Sequence, residues 1–461
     1  MESILRIRFI SKVHQLLLFL GLSLFLFTGN SYAQQLSGSY TIGASGDYPT
    51  FSDAVSALTS NGVSGPVTFE VQTGTYTGQI LLGAISGASE TNTITFQSQS
   101  GNAEDVIIQY AATGTADNYV IRFDGGSHYV LKNIKVLALG TTYARTIHAQ
   151  GEIQNITIEQ CMLESPDTST ANFDRGNVVL QPTTSSSIRF FGNIIAGGSN
   201  GIYYRGGTSS SFRGAGVELI NNTISGVFSY GIYLDRLTAA VIEDNRITMR
   251  ASSWSSSYPL ELNEVEGATR VVGNRLFGGR QYGLNMQFCN AVEGSPALVA
   301  NNMIGSSSSG QTVFLYYSTY VNFYHNSVLN TNTGEAIQYN GLASAGNRIK
   351  NNIFRANTGQ AVYVSNSTGL VEMDYNDLFT SGTYVGRWGS SYAGDVNEWR
   401  VLSSQDANSL SFDPQFASDT DLTASSPALA NAGTPLTEVT TDINGVARKS
   451  TPSMGANEYD S

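Results

Sequence analysis

Cysteine, proline and charged residues are all scarce in this sequence. Of its 461 residues, 2 are cysteine, 10 are proline and 13% are charged. Neither Cys161 nor Cys289 lies in a metal-ligand spacing, so a chain this poor in cysteine is stabilised by its core and not by disulfides. The composition is also neither that of a disordered protein nor that of a helical one.

Long hydrophobic runs are missing except near the N-terminus. The apolar run at 16–27 follows Arg6, Arg8 and Lys12 and precedes "SYA" at 31–33. This order predicts a secretory signal at 1–33, cleaved after Ala33. The alternative is a membrane anchor, for which the run is short. We therefore expect a mature chain without a membrane span, exported to the periplasm, the cell surface or the exterior.

Basic residues are also in deficit, since the formal net charge is −12. Cleavage of the predicted signal would make the charge more negative, because that segment is mostly basic. An acidic surface excludes nucleic acid as a partner. It also opposes binding of a polyanionic polysaccharide, unless a cation bridges the charges.

Glycine and aromatic residues are abundant, and one short motif recurs. The chain has 48 Gly, 24 Tyr and 21 Phe, and it repeats Asn, any residue, then an apolar residue, as in "NNTISG" and "NNMIGS". The interval between repeats is 23 to 29 residues, which marks a solenoid. The repeats lack the leucines of leucine-rich repeats and the apolar spacing of helical repeats. They hold alternating runs such as "GIYLD", which predict stacked strands in a parallel β-helix of about ten or more coils.

The recurring asparagine receives a structural interpretation. At one corner of a stacked coil, Asn can adopt a left-handed backbone and its amide can bond to the Asn above and below. We expect one ladder along the solenoid, formed by Asn193, Asn222, Asn245, Asn274, Asn302, Asn326, Asn352 and Asn376. The same register places Cys161 and Cys289 about four coils apart, so both thiols should be free.

The solenoid divides into three parts after the signal. Residues 34–110 are expected to form an N-terminal cap and the first coils, 111–395 the repeats, and 396–461 a C-terminal cap. In the first part, Thr50 and Asp53 predict a helix N-terminus, and the helix should end near Gly62. This short helix would cover the open end of the solenoid.

Three segments resemble a known superfamily. "GSYTIGASGDYPTFSDAVSAL" with its continuation (38–80), "NEWRVLSSQDANSLSFDPQF" (397–416) and "SSPALANAG" through "GANEY" (425–459) are similar to the ends of exported β-helix proteins. The chain resembles the right-handed parallel β-helix superfamily of pectate lyases, pectin methylesterases and polygalacturonases, and especially the exported repeat proteins of Bacteroidetes. The resemblance implies an all-β, single-stranded, right-handed β-helix. It implies no particular activity, because the superfamily includes several enzyme classes and adhesins.

Catalytic signatures of those enzymes are missing from the sequence. The tripeptide "RIK" at 348–350 matches one polygalacturonase element, but the aspartate motifs and the Gly-His-Gly are absent. The pectin methylesterase signatures are also absent, as are nucleophile-elbow, zincin and phosphate-loop motifs. A strand is a sufficient interpretation of "RIK".

Alternation places aromatic rings and amides on one outward strand face. Rings and amides suit the faces and hydroxyls of sugars, although stacking within the sheet would use the same residues. Both interpretations stay open here. The candidates for glycan binding are Tyr203, Tyr233, Phe314 and Tyr363, with the amides of Asn263, Gln287 and Asn340 beside them.

Charged residues on the same face are the candidates for chemistry. Arg205, Asp235 and Glu261 fall on three successive coils, and His148 lies beside Arg122 and Asp124. Two further residues, Glu264 and Glu266, form an acidic pair that could hold calcium, as in the β-helix lyases that this face loosely resembles. The alternative is an ion-paired surface. No other cofactor is expected.

The sequence therefore predicts a protein that binds glycans or acts in surface adhesion. Its partner would be a polysaccharide or a cell-surface glycan. The alternative is a polysaccharide lyase or glycoside hydrolase, with Arg205, Asp235 and Glu261 nearest to the reaction.

Overall fold

The computed structural model describes residues 34–207, 212–342 and 346–460, so the predicted signal at 1–33 lies outside the described residues. The chain winds into a parallel β-helix with three strand stacks, which we name sheets 1, 2 and 3. The strands of sheet 1 are Leu36–Ile42, Val63–Val71, Ile94–Ser98, Tyr129–Lys132, Glu152–Glu159, Thr184–Phe191, Gly214–Ile220, Val241–Glu243, Arg270–Val272, Ala297–Ala300, Val321–Tyr324, Asn347–Lys350 and Leu370–Asp374.

Sheets 2 and 3 complete each coil. Sheet 2 has twelve strands within the described ranges, namely Gly74–Thr77, Val106–Tyr110, Lys135–Ala138, Met162–Glu164, Ile194–Ala196, Thr223–Ser225, Arg246–Thr248, Arg275–Gly279, Met303–Ser306, Ser327–Asn330, Ile353–Ala356 and Asp377–Thr380. Sheet 3 contains Ile80–Leu82, Ile121–Asp124, Ile147–Gln150, Val178–Leu180, Asn200–Arg205, Tyr230–Thr238, Tyr258–Glu266, Leu284–Gln287, Val313–Tyr316, Ile337–Asn340, Val362–Asn366 and Gly386–Trp388, closed by the antiparallel strand Ser391–Ala393. The prediction of an all-β solenoid of ten or more coils is confirmed.

The alternating pattern of the sequence forms the core. Aliphatic and aromatic residues at inward positions stack from coil to coil, as Ile202, Ile232 and Leu260 do in sheet 3. All three are fully buried. Each coil alone has no closed core, so its apolar residues are shielded from water only by the coils on either side.

The predicted asparagine ladder is present at the corner between sheets 1 and 2. Asn222 shows the repeating pattern. Its Oδ1 accepts from the backbone N–H of Asn193 at 3.0 Å and from Asn193 Nδ2 at 2.9 Å. Its Nδ2 donates to the carbonyl of Phe190 and to Asn245 Oδ1. The same bonds continue to Asn376, whose Nδ2 donates to Asp406 Oδ1 at 3.1 Å. The ladder thus satisfies buried polar groups that a stacked corner would otherwise leave unpaired.

One detail of the ladder prediction is wrong. The left-handed residue at this corner is the one before the ladder asparagine, as at Asn221 and Asn351, which have φ values of 55° and 59°. Upstream, Cys161 continues the column as expected, and its backbone N–H donates to Asn193 Oδ1. Cys161 and Cys289 are both buried and free, which confirms the prediction for the thiols.

Helix α1 (Phe51–Asn61) covers the N-terminal end of the solenoid. Thr50 and Asp53 form the expected capping box, in which the Thr50 hydroxyl accepts from the Asp53 backbone N–H and the Asp53 carboxylate accepts from the Thr50 N–H. The helix ends at Gly62 with φ of 67°, as predicted. Its buried face carries Phe51, whose ring contacts Phe96 of the core.

The other end is closed by helix α2 (Val396–Ser403). Asp395 caps its N-terminus, and Trp399 is completely buried at the end of the core. The Trp399 indole N–H donates to Asp406 Oδ2 at 2.7 Å. Asp406 therefore joins the cap to the ladder. Burial is the largest influence on this carboxyl and raises its pKa to about 6, against the lowering effect of its hydrogen bonds.

After the cap, the chain turns back along the outside of the solenoid. We name residues 413–460 the strap. Its side chains cover the outer face of sheet 2 over the last coils, where Leu422 and Ala456 pack on Phe277, Met303 and Leu329. Phe277, Met303 and Ile353 are outward apolar residues of sheet 2 that the strap covers, whereas uncovered Thr223 and Arg246 are polar and exposed. The segment 396–461 was expected to act as a cap, and its larger part instead shields one face.

Candidate functional site

The outer face of sheet 3 carries the predicted site residues in the expected register. Tyr203 pairs with Tyr233, Tyr233 with Glu261, and the next coil adds Asn285. In the neighbouring column, Arg205 pairs with Asp235 and Asp235 with Asn263. Parallel pairing of consecutive coils therefore brings residues that are some 25 to 30 positions apart in sequence into direct contact.

Ten aromatic rings form a continuous chain across this face. Neighbouring ring centroids are 4.1 to 6.0 Å apart. The rings belong to Phe173, Tyr203, Tyr233, Tyr230, Tyr258, Tyr282, Phe314, Tyr316, Tyr317 and Phe288. The chain leaves the central column at Tyr233 and returns to it at Phe314. It thereby passes around Glu261 and Asn285, which occupy the two coils between.

The polar residues inside this detour form what we call the notch, defined as Glu261, Asn285 and Gln287. Glu261 Oε1 accepts from Asn285 Nδ2 at 3.3 Å and from Gln287 Nε2 at 3.2 Å. The other oxygen, Oε2, makes no hydrogen bond to any residue that the structure describes. Burial raises the Glu261 pKa to about 7, partly offset by the two amides, and Asp235 raises it further. The notch can thus donate or accept a proton near neutral pH.

Asp235 is not available for chemistry of the same kind. Its side chain is 1% exposed, with Oδ2 accepting from Arg205 Nε at 2.8 Å and Oδ1 accepting from Asn263 Nδ2 at 3.0 Å. A carboxylate held in this way is a structural partner for Arg205 and cannot approach a substrate. The three predicted catalytic candidates are therefore adjacent, but only Glu261 retains a free oxygen.

The acidic pair proposed for calcium is occupied by arginine. Arg213 Nη2 lies 3.6 Å from Glu264 and 2.9 Å from Glu266, and Arg236 lies 3.8 Å from Glu264. These cations neutralise both carboxylates in place of a metal. Among the described residues, no group of three or more His, Cys, Asp and Glu is placed to hold an ion. The pair thus fits an ion-paired edge better than a calcium site.

The four rings that the sequence predicts to bind glycans are less exposed than expected. Tyr203 is 4% exposed, because it is covered by Phe173 on one side and stacked on Tyr233 on the other. Tyr233, Phe314 and Tyr363 are half-buried. Exposure of all four rings was therefore a wrong expectation, and Tyr203 serves mainly in packing.

The amides of this face are also partly committed. Asn263 and Gln287 both donate to carboxylates, at Asp235 and Glu261 respectively. Asn340 is half-buried, and its side chain makes no hydrogen bond to another described residue. Asn340 is thus the one predicted amide that makes no such bond, while Asn263 and Gln287 each keep a second N–H and an amide oxygen.

The remaining candidates lie away from the notch. His148 is half-buried, and burial with nearby Arg145 and Arg122 lowers its pKa to about 4, so it is neutral at physiological pH. Arg122 forms an ion pair with Asp124 at 3.3 Å. The "RIK" tripeptide belongs to sheet 1, where Lys350 pairs with Glu372 at 2.7 Å. It has no part in the sheet 3 face.

The sequence analysis missed several rings of this face. Tyr230, Tyr258 and Tyr282 lie just before each sheet 3 strand core, and Phe288 and Tyr317 lie just after it. The recurrence of Tyr two residues before the first buried aliphatic position was the available signal. Phe173 is in a loop and had no periodic signal.

Comparison with known proteins agrees with the architecture. Residues 183–379 match a family model described as "Right handed beta helix region". No curated protein matches the chain. No helix in the described ranges has the length and apolar character needed to cross a membrane.

Solved structures with a similar course include three polysaccharide enzymes. The periplasmic alginate epimerase AlgG is 12% identical, with 77% of this chain and 80% of that chain covered and a TM-score of 0.47. The A-module of the Azotobacter vinelandii mannuronan C-5 epimerase AlgE6 is 12% identical over 79% and 93%, at 0.47. The pectate lyase Pel9A is 12% identical over 93% and 98%, at 0.41. The protein is a right-handed parallel β-helix whose central residues, 183–379, match the corresponding family model.

Proposed function

We propose that the outer face of sheet 3 binds a glycan, with the notch as its polar centre and the aromatic chain as its frame. The observation that supports this is the placement of Glu261 among rings. Sugars offer apolar C–H faces to aromatic side chains and hydroxyls to polar ones, and binding sites combine a mostly apolar lining with few polar groups. An exported glycan-binding or adhesion protein is the function that fits this face.

Packing alone does not account for Glu261. Its coil neighbours in the same column are Tyr233 and Asn285, and either residue type would continue the stack. A carboxyl group that is 8% exposed and has no cationic partner among the described residues is costly to keep. A costly polar group with a raised pKa is more typical of a functional site than of side-chain stacking along a sheet.

A lyase or hydrolase is the second candidate, and Glu261 alone supports it. A pKa of about 7 suits a general acid or base at neutral pH. Hydrolysis of glycosides generally needs a second carboxyl group across the bond. Asp235 does not fill that role, because Arg205 and Asn263 occupy both of its oxygens. Binding without cleavage is therefore the better-supported function.

The test uses the mature protein on a glycan array, followed by affinity measurements on any glycan retained. Glu261→Gln keeps the shape of the notch but removes its titrating group, and should weaken binding about tenfold. Glu218→Gln, on sheet 1, is the matched control and should bind as the wild type does. Absence of any glycan binding, or equal binding by both variants, would refute the proposal. Release of reducing sugar or of 235-nm absorbance would favour the enzyme instead.

A further inference from the structure

One edge of the sheet 3 face has an unusual backbone. In six coils, the residue that directly follows the outward column of sheet 3 turns the corner in the left-handed region. In two early coils this residue is glycine, at Gly125 and Gly151. In four consecutive later coils it is not, although the backbone is the same. We name these four residues the rim, and they are Arg236, Glu264, Phe288 and Tyr317, with φ of 56°, 51°, 53° and 47°.

The rim backbone is unfavourable for the side chains that it carries. A left-handed backbone is accessible to glycine at no steric cost, but is a rare and unfavourable conformation for bulky side chains. The corner between sheets 1 and 2 uses mostly tolerant residues such as Asn221, Asp244 and Gly273, although Gln160 and Tyr375 are also left-handed there. Unfavourable backbone conformations cluster at binding and catalytic sites. The four rim coils are the two that hold the notch and one on either side of them.

The aromatic half of the rim forms an open platform. Phe288 is 40% exposed, its ring lies 5.4 Å from Tyr316, and Tyr316 stacks on Tyr317 at 4.1 Å. The platform, defined as Phe288, Tyr316 and Tyr317, adjoins the notch directly. Gln287, which donates to Glu261, is the residue before Phe288 and pairs in register with Tyr316.

We propose that this platform is the primary stacking site for an uncharged pyranose unit, whose hydroxyls then reach Gln287 and Glu261. The inference rests on the proposed function of the sheet 3 face. The charge of the unit follows from Glu261, which has no cationic partner among the described residues, whereas Arg213 and Arg236 neutralise Glu264. An anionic sugar placed here would meet the Glu261 carboxyl group in a protein of net charge −12.

Glycine at an aromatic rim position removes the ring and relieves the left-handed backbone at the same time. Stability and glycan affinity should therefore change independently. Phe288→Gly relieves the left-handed backbone and removes an exposed ring, so the thermal midpoint should stay constant or rise by a few degrees. Binding of the preferred hexasaccharide should fall about three- to tenfold, as expected for one stacking contact. Tyr317→Gly should weaken binding similarly. Gln160→Gly is the matched control, since Gln160 is exposed with φ of 52° at the opposite corner, and should alter stability but not affinity.

The probes are cellohexaose, mannohexaose, xylohexaose and the acidic hexagalacturonate, titrated into the mature protein by calorimetry. Binding of one neutral probe, weakened by both platform variants and not by the control, supports the inference. Neutral binding that is unchanged in Phe288→Gly overturns the platform but leaves glycan binding intact. Tighter binding of hexagalacturonate than of the neutral probes overturns the uncharged class. A sharp fall in the midpoint of Phe288→Gly would show that the ring is held for packing, and binding of no probe refutes the proposed function itself.

Discussion

Arg205 and Asp235 form an ion pair whose two halves differ in their contact with water. The guanidinium Nε lies 2.8 Å from Asp235 Oδ2, yet the arginine side chain is 41% exposed and the aspartate side chain 1%. The carboxylate lies beneath the face, and the cation above it. The pair therefore keeps a buried charge neutral while its guanidinium remains at the surface of sheet 3.

The two halves of this pair should respond unequally to substitution. Arg205→Leu leaves a buried carboxylate with Asn263 as its hydrogen-bond donor and Arg236, at 3.9 Å, as its remaining cation, and should cost about 3 kcal/mol in the free energy of unfolding. Asp235→Asn leaves an arginine that water can reach, and should cost about 1–2 kcal/mol. Urea denaturation of both variants measures the difference. Equal losses would show that Arg205 is not solvated as its exposure indicates.

Glu261 should make the fold less stable as pH rises. Its pKa is about 7 in the folded protein and lies near the ordinary value of 4.5 when unfolded, so the folded state holds more protons between these values. Stability is then lost as pH rises from about 4.5 to about 7, by roughly 3 kcal/mol for this group. Glu261→Gln should remove that part of the pH dependence.

Other buried acids, including Asp406, titrate in the same direction, so the informative quantity is the difference between the variant and the wild type at each pH. Glu218→Gln serves as the control, because Glu218 is exposed in a surface ion pair with Arg189. A difference that stays constant from pH 4 to pH 8 would contradict the raised pKa of Glu261.

Two isoleucines of sheet 2 test whether the strap shields that sheet from water. Ile194 and Ile353 hold the same outward position of sheet 2, linked coil by coil through its strand register. Ile194 is uncovered and 45% exposed, whereas Ile353 is fully buried against Met454 of the strap. Ile353→Asp should cost at least about 3 kcal/mol, and Ile194→Asp less than about 1 kcal/mol.

Hydrogen exchange would locate the effect. Ile353→Asp should speed exchange in the strap and in the sheet 2 strands beneath it, because the strap separates before the coils do. If both variants lose the same stability, the strap does not shield this face in solution.

Loss of the side-chain amide at any asparagine of the ladder should lower the free energy of unfolding. Asn245→Ala leaves the Asn222 backbone N–H and the Leu219 carbonyl without partners in the interior, and should cost about 3 kcal/mol or more. Thr223, one position after a rung and exposed, provides the control, with an expected change within about 0.5 kcal/mol for Thr223→Ala. Thermal unfolding of the two variants should differ by several degrees. A small change at Asn245 would show that water replaces the missing amide.

The architecture could be predicted because it repeats. The asparagine interval gives the coil length, and alternation gives the face of each strand that points inward, so the sequence alone places Tyr203, Tyr233 and Glu261 in one column, as the structure does. The capping box at Thr50 and Asp53 could also be predicted, because its two residues are only three positions apart. These features depend on neighbours in sequence or on a regular period.

Burial on the outer face could not be predicted in the same way. Tyr203 is covered by Phe173 from a loop, and loops carry no period. The strap was missed for a different reason, since its course depends on contacts between distant residues, such as Asn351 with Thr434, 83 positions apart, and Arg275 with Asn444, 169 positions apart. Adjacent apolar residues occur in strands that the strap covers, as in Leu276 with Phe277, but also in the uncovered strand at Ile194 and Ile195, so they did not mark its course.

The ladder also has a polarity. In each rung the Nδ2 of the earlier asparagine donates to the Oδ1 of the later one, from Asn193 through Asn376, so the amide dipoles point the same way along the solenoid. Aligned dipoles present a partial positive charge at one end, as peptide groups do in a helix. Here that end meets a carboxyl group, since Asn376 donates to Asp406. A further asparagine in place of Asp406 would carry the array one step onward, whereas the carboxyl group, which offers an acceptor there and no amide donor, terminates it.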